Sequence, residues 1–305
     1  MNTAKTSSEA ALSRAGAYVS LYFKLTDYAR LFKFRLSLTV VFSSVVGYCL
    51  ATRGNVLLTD VFWVIIGGFL ITAAANAFNQ ILEKEYDRLM HRTRNRPLAA
   101  GRMGMPEALL TAGISAVAGV LILWFTFNML AAILGALSLF LYAFVYTPLK
   151  RLSPIAVLVG GIPGALPPLI GWVCATGTIT FEAMLLFSIQ FLWQFPHFWA
   201  IAWLAYEDYQ RAGFKLLPSR AGRDRNTALL SILYILALIG ISSLPLLTGM
   251  INYVAAAVIL AAGIVFLWQS VELYLHCSSK QAKAMMIGSV LYLPVVLIAL
   301  LAGAV

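Results

Sequence analysis

Three oxygen-bearing side chains recur at four-residue intervals in Asn79-Gln-Ile-Leu-Glu83-Lys-Glu-Tyr-Asp87-Arg88. On a helix these positions share one face, with neighbouring Cβ atoms about 6 Å apart. An amide oxygen and two carboxylates in a row suit a hard divalent cation. Mg2+ takes oxygen ligands and commonly completes its shell with water or substrate phosphate. Arg92, Arg94 and Arg96 follow directly and offer forked donors that match a diphosphate. The pattern fits the holding of a diphosphate leaving group. A helix end with ordinary charge pairs would look similar, but carboxylates at the mouth of a membrane helix are costly unless they are used.

A second stretch, Trp193-Gln-Phe-Pro-His197-Phe-Trp-Ala-Ile-Ala-Trp203, runs on to Glu207-Asp208-Tyr209-Gln-Arg211. Asp208, with Glu207, can bind a second metal or share the diphosphate. His197 stands about three helical turns before it, among Trp193, Phe195, Phe198, Trp199 and Trp203. An intramembrane histidine of this kind is either a hydrogen-bonded packing residue or a ligand. Lys150, after Tyr146-Thr-Pro-Leu, has two readings as well: a diphosphate contact or a snorkelling anchor.

The elements that must position these residues are membrane helices. Of 305 residues, 61% are hydrophobic and only 11% charged, with a mean hydropathy of +0.86. A soluble domain is about 25% charged, so an ordinary soluble domain is excluded. Apolar runs of about 18–22 residues recur, each long enough to cross a bilayer. Nine spans are expected, over 36–51, 56–82, 106–127, 129–146, 155–175, 181–206, 228–248, 251–275 and 282–304. Gly160-Gly161-Ile162-Pro163, Pro167-Pro168, Pro196, Pro245 and Pro294 interrupt several of them. Neighbouring helices can satisfy backbone groups that such breaks release. The expected fold is therefore an all-α bundle. Residues 1–16 form a polar tail and residues 17–305 a single membrane domain, opened by an amphipathic interfacial segment over 17–33. The tail lacks the apolar core of a secretory signal, while its Ser, Ala and basic residues leave a transit peptide open.

The formal charge of +10 would suit nucleic acid, but the basic residues sit between the apolar runs. With nine spans, every Lys and Arg except Arg53 falls on one side, which sets the N-terminus inside. The two long inside connections follow the second and sixth spans, so two loops are expected to converge on one cavity. Cys49, Cys174 and Cys277 have no metal-site or disulfide spacing and read as apolar filler.

These residues resemble the UbiA superfamily of intramembrane prenyltransferases. That family carries an Asn-x-x-x-Asp-x-x-x-Asp motif after its second helix and a second acidic motif after its sixth. Here the first is Asn79, Glu83 and Asp87, with Glu in place of the commoner Asp, and the second reduces to Glu207-Asp208. The family's Lys-Pro-Arg near its first helix stands here as Lys33-Phe34-Arg35. Over about residues 28–300 the chain looks like the heme-farnesylating branch, through Ala75 to Asp87, His91 to Leu98, and Trp193 to Trp203 with Glu207-Asp208-Tyr209.

The resemblance implies nine helices around a central cavity. It also implies transfer of a farnesyl group from farnesyl diphosphate to a vinyl group of heme B, with addition of water to give heme O. Asn79, Glu83, Asp87 and Asp208 would carry catalysis and hold Mg2+. Arg92, Arg96, Lys150 and Arg211 would bind the diphosphate, and His197, Trp193 and Trp199 would face heme. Heme B is then a substrate, the setting a bacterial inner membrane (or a mitochondrial one), with the active-site loops in the cytoplasm. A downstream heme A synthase or oxidase assembly factors would be the partners, and nucleic acid would have no part.

Two rivals remain at the level of sequence. The acidic motifs also suit a prenyltransferase acting on a quinone or chlorophyll-type acceptor. Broken helices and intramembrane polar residues also occur in transporters. Transporters place coupling carboxylates near the bilayer centre, whereas these acids gather at helix ends beside arginines.

Overall fold

In the computed structural model, residues 22–219 and 221–305 are described. The expected tail, the first residues of the interfacial segment and Arg220 lie outside them. A short helix α1 over residues 22–31 leads into α2 (Phe34–Ala51), α3 (Leu58–Leu89), α4 (Met105–Thr126) and α5 (Met129–Phe140). A π-helical segment, Leu141–Tyr146, joins α5 to the single turn α6 (Thr147–Leu149). Then follow α7 (Ala156–Thr176), α8 (Phe181–Leu204), a short α9 (Tyr206–Arg211), α10 (Arg225–Leu247), α11 (Tyr253–His276) and α12 (Ser279–Ala302). The only pairing of strand type among the described residues is the isolated bridge between Ile251 and Ala304.

Each long helix packs on the next, from α2 through α3, α4, α5, α7, α8, α10 and α11 to α12, and α12 returns to α2. This closed ring is braced across its middle by α2 on α7 and by α8 on α12. Among the described residues, the α5 segment with its π turn and α6, together with seven other helices, makes eight that are long and apolar enough to cross a membrane. The expected sixth span coincides with α8, which has 24 residues but carries Gln190, Gln194 and His197.

Lipid offers apolar helices little hydrophobic drive to associate, so small residues that let backbones approach do much of that work. The α2–α7 seam shows this. A Cβ on Gly47 would stand 2.0 Å from the Pro168 carbonyl oxygen, and one on Gly171 would stand 1.8 Å from that of Ser44. Pro163, Pro167 and Pro168 sit inside α7, and Ser138 Oγ donates to the Pro163 carbonyl from α5.

Two departures from a plain bundle position the chemistry. The helix α3 has 32 residues, about 48 Å at 1.5 Å per residue, well beyond a hydrocarbon core of about 30 Å. Its last turns, from Asn79 to Asp87, therefore project as helix past the apolar run. The π segment precedes Pro148, whose missing N–H cannot make the α-type bond back along the chain. Ladders widen in this way most often at functional sites, and here the widened turn presents Tyr142, Tyr146 and Thr147.

Candidate active site at the charged end of the bundle

Asn79, Glu83 and Asp87 line one face of the projecting end of α3, as their spacing predicts, and all three are buried. Each is engaged by a neighbouring element. Lys33, at the start of α2, sends its ammonium to Asn79 Oδ1 at 3.2 Å, and Asn79 Nδ2 donates to Thr147 Oγ1 at 3.0 Å. Lys150 Nζ lies 2.7 Å from Glu83 Oε1. Arg96 Nη1 donates to both oxygens of Asp87 at 2.8 Å. Buried ions need such partners, because an unpaired charge out of water is strongly destabilising.

Lys33 is a residue that spacing alone does not single out. Its backbone is left-handed, with φ of 46°, which is uncommon for a residue with a side chain. That turn between α1 and α2 points the chain inward, and burial beside Arg96 and Lys150 pushes its ammonium well below the ordinary lysine value. Tyr146 and Phe214 were likewise not singled out as site residues. Lys150 Nζ lies 4.5 Å from the Tyr146 ring centre and 5.7 Å from that of Phe214, within cation–π reach. The only sequence signal for Tyr146 was its place before Pro148.

Asp208 does not end the sixth long helix, as expected, but sits on α9. The chain breaks at Ala205, with φ −96° and ψ 20°, and turns back toward the loop after α3. There the Asp208 carboxylate accepts from the backbone N–H of His91 at 3.2 Å and of Arg92 at 3.3 Å, and pairs with Arg211 at 3.1 Å. Burial opposes ionisation of Asp208, but these N–H groups and the Arg211 charge hold its carboxyl below the usual value. Arg92 Nη2 also donates to the Tyr209 hydroxyl at 2.8 Å. The two loops thus meet at one end of the bundle. Glu207 points the other way, bidentate with Arg223 at 2.7 and 2.8 Å.

Glu83 and Asp87 stand together one turn apart. Asp208, tied to the loop backbone, does not join them in an ion-sized nest: no three acidic, His or Cys side chains are so gathered among the described residues. The oxygen donors suit a hard cation, in a site that would need oxygens from elsewhere to complete its shell. Beside it opens a cavity of about 420 Å3 lined by Arg30, Arg92, Asn95, Arg96 and Arg102. Arg102 is turned partly from it by Asp27, whose carboxylate it grips at 2.9–3.1 Å.

Deeper in α8, Trp193 stacks on His197 with ring centres 4.8 Å apart, and its indole N–H donates to the Ser289 carbonyl at 2.7 Å. His197 Nδ1 lies 2.8 Å from Ser289 Oγ, which itself donates to the Met286 carbonyl at 2.6 Å. With the hydroxyl proton so directed, Nδ1 is the donor and Nε2 keeps its lone pair. Trp199 is buried against Phe195 and Tyr234. Gln194 donates to the Gly161 carbonyl at 3.1 Å, and a Cβ on Gly164 would stand 2.0 Å from its Oε1, so α7 and α8 are locked together here.

A helical membrane bundle with buried carboxylates clamped by basic side chains at one end defines an intramembrane enzyme of the kind that handles diphosphate esters. The chain belongs to the UbiA prenyltransferase family, whose model matches residues 40–301. It is 49% identical over 278 residues to the protoheme IX farnesyltransferase of Cytophaga hutchinsonii, covering 91% of this chain and 95% of that one. It is 40% identical to the protein of the same name from Solibacter usitatus, covering 89% and 96%. In fold it is similar to a digeranylgeranylglyceryl phosphate synthase of membranes, with a TM-score of 0.76 at 22% identity over 92% and 98% of the two chains. A UbiA homolog from Archaeoglobus fulgidus, solved bound to GPP and Mg2+, gives 0.66 at 15% over 90% and 99%.

Proposed function

We propose that this multi-pass membrane enzyme transfers the farnesyl group of farnesyl diphosphate to a vinyl group of heme B and releases diphosphate, giving heme O. The observation that carries the reading is the meeting of buried Glu83 and Asp87 with Lys150 and Arg96 at the end of α3. Identity of 49% with a protoheme IX farnesyltransferase supports the choice of heme as acceptor.

In this reading Lys33, Arg92, Arg96, Lys150 and Arg211 hold the diphosphate, and their charge stabilises the leaving group as the C–O bond to farnesyl breaks. Asn79, Glu83 and Asp87 would hold Mg2+, which would supply Lewis-acid neutralisation of the phosphate oxygens, while Asp208, apart from them, anchors the His91–Arg92 turn. Ring faces of Tyr146 and the α8 aromatics stabilise the allylic cation. A heme vinyl carbon forms the new C–C bond, and water adds to the adjacent cation and loses a proton, leaving a hydroxyethylfarnesyl group. His197, with Nε2 free of the Ser289 bond, contacts heme beside Trp193.

We read α8 as the ninth crossing and its polar side chains as the reason for its lower hydropathy. The N-terminus and the loops over 90–104 and 205–224 then lie on the cytoplasmic side of a bacterial inner membrane. A heme A synthase or oxidase assembly factor would take the product.

Mass spectrometry of hemes from cells with and without the chain tests the reading, together with diphosphate release by purified protein. Heme O is expected only with the chain. A prenylated quinone or chlorophyll-type product, or no diphosphate release, would overturn it.

A further inference from the structure

We propose that the end of the bundle opposite the buried carboxylates carries a second binding site, which takes the phosphoethanolamine headgroup of a membrane phospholipid, with Arg53 as the phosphate partner and Glu182 as the ammonium partner.

A cavity of about 350 Å3 opens at that end, within the range of about 300–1,000 Å3 that small-molecule sites occupy. The helices α2, α10 and α12 end beside it and α8 begins there. It thus lies where the ring of helices closes from α12 back to α2. Backbone bonds fix its wall: the Asn252 N–H donates to the Gly303 carbonyl at 2.8 Å, and the Val305 N–H to the Met250 carbonyl at 3.3 Å. Leu50, Val56, Met250 and Leu301 give it an apolar lining.

Two opposite charges share this space. Arg53 is the one Lys or Arg that falls at this end when nine crossings are counted. Arg53 and Glu182 both line the cavity, and neither is ion-paired with any described residue. The other acid of this end, Asp60, accepts from the Tyr48 hydroxyl at 2.7 Å and does not line the cavity. A guanidinium and a carboxylate in one cavity suit a zwitterion, whereas a simple anion would meet Glu182 unfavourably. Trp172 also lines the cavity; it is buried, and its indole N–H has no partner among the described residues. Buried donors are seldom left so, and a phosphate or ester oxygen would satisfy it.

The position points to a lipid as the carrier of that zwitterion. Trp63 and Tyr253 stand exposed near the starts of α3 and α11, at the same end of the bundle. Such amphipathic rings settle at headgroup level. The cavity therefore opens at headgroup depth in the leaflet opposite the active-site loops, with its apolar lining for the first part of the acyl chains. An ethanolamine ammonium can donate charge-assisted N–H bonds to Glu182, and a choline ammonium has none to give.

The test adds short-chain phosphatidylethanolamine, phosphatidylcholine or phosphatidylglycerol, or free phosphoethanolamine, to the delipidated full chain in detergent. Native mass spectrometry counts the retained ligand, and circular dichroism confirms that each variant is folded. One phosphatidylethanolamine per chain is expected, held about fivefold or more tightly than phosphatidylcholine. Arg53→Gln should weaken retention of every phospholipid, whereas Glu182→Gln should erase only the preference for phosphatidylethanolamine over phosphatidylcholine. Equal retention of those two lipids by the unsubstituted chain would overturn the proposal, and that arm needs no variant. Preferred retention of phosphatidylglycerol would overturn it too, as would an undiminished preference in a folded Glu182→Gln chain. Free phosphoethanolamine bound as tightly as the whole lipid would make the ligand a soluble zwitterion and overturn the lipid assignment.

Discussion

The Asp208 carboxylate on α9 accepts the backbone N–H of Arg92, at 3.3 Å, from the loop that follows α3. With the bond from the neighbouring His91 N–H, it joins the two halves of the site. The same loop, through Arg96, holds Asp87, and the same short helix, through Tyr209, holds the Arg92 guanidinium. Neutral and charged partners of Asp208 are therefore part of how the arginines are aimed.

From that relationship Asp208→Asn and Glu207→Gln should behave differently despite being adjacent. Asp208→Asn weakens the anchor for the His91–Arg92 turn and should lower turnover at least about 10-fold. Glu207→Gln touches only the outward pair with Arg223 and should stay within about twofold of the unsubstituted protein. Steady-state rates of heme O formation check this, and equal losses in the two variants would refute it.

Glu83→Gln and Asp87→Asn keep size and hydrogen-bonding capacity while removing charge. Turnover with added Mg2+ should fall about 100-fold or more, with each protein still inserted and monodisperse in detergent. Near-normal heme O production by both would sink the metal assignment.

His197→Ala removes both the ring against Trp193 and the free Nε2, whereas Ser289→Ala removes only the acceptor that fixes the ring. Heme affinity, followed by the Soret band, should fall strongly in the first and mildly in the second, with pyrophosphate binding unchanged in both. Unaltered heme affinity in His197→Ala would take it out of the acceptor site.

Gly47→Ala places a methyl on the Pro168 carbonyl. Since that obstacle is backbone and cannot swing aside, the seam between α2 and α7 must part, at a cost of about 1–3 kcal/mol. A lowered detergent melting temperature is the expected outcome. Gly113→Ala serves as the control, because nothing stands within 4 Å of its added Cβ.

Asp224 caps α10 by accepting the Thr227 N–H at 2.9 Å, and Asp224→Ala should cost about 1 kcal/mol. Burial opposes its ionisation, but bonds from Ser219, Thr227 and Asn226 leave its carboxyl below the usual value. With the folded value depressed, the stabilisation is complete above the unfolded value of about 3.9 and is lost as pH falls through the folded one. The difference in melting temperature between Asp224→Ala and the unsubstituted protein should therefore shrink in acid below about pH 4 and stay constant above about pH 5.

What the chain alone determined was whatever a periodicity or a partition carries. The apolar runs marked the helices because lipid leaves no other partner for the backbone, and the four-residue spacing put Asn79, Glu83 and Asp87 on one face because a helix repeats at that interval. The charge beside them marked that end for an anion. Tertiary structure decided the partners. Lys33 comes to Asn79, and Lys150 to Glu83, from other helices, and no local rule measures a distance across 46 or 67 residues. The break at Ala205 and the π turn before Pro148 are set by which neighbours satisfy the backbone groups they free. Asp208 thus lies on a separate turn against the His91–Arg92 backbone, where helix continuity would have left it at the end of α8.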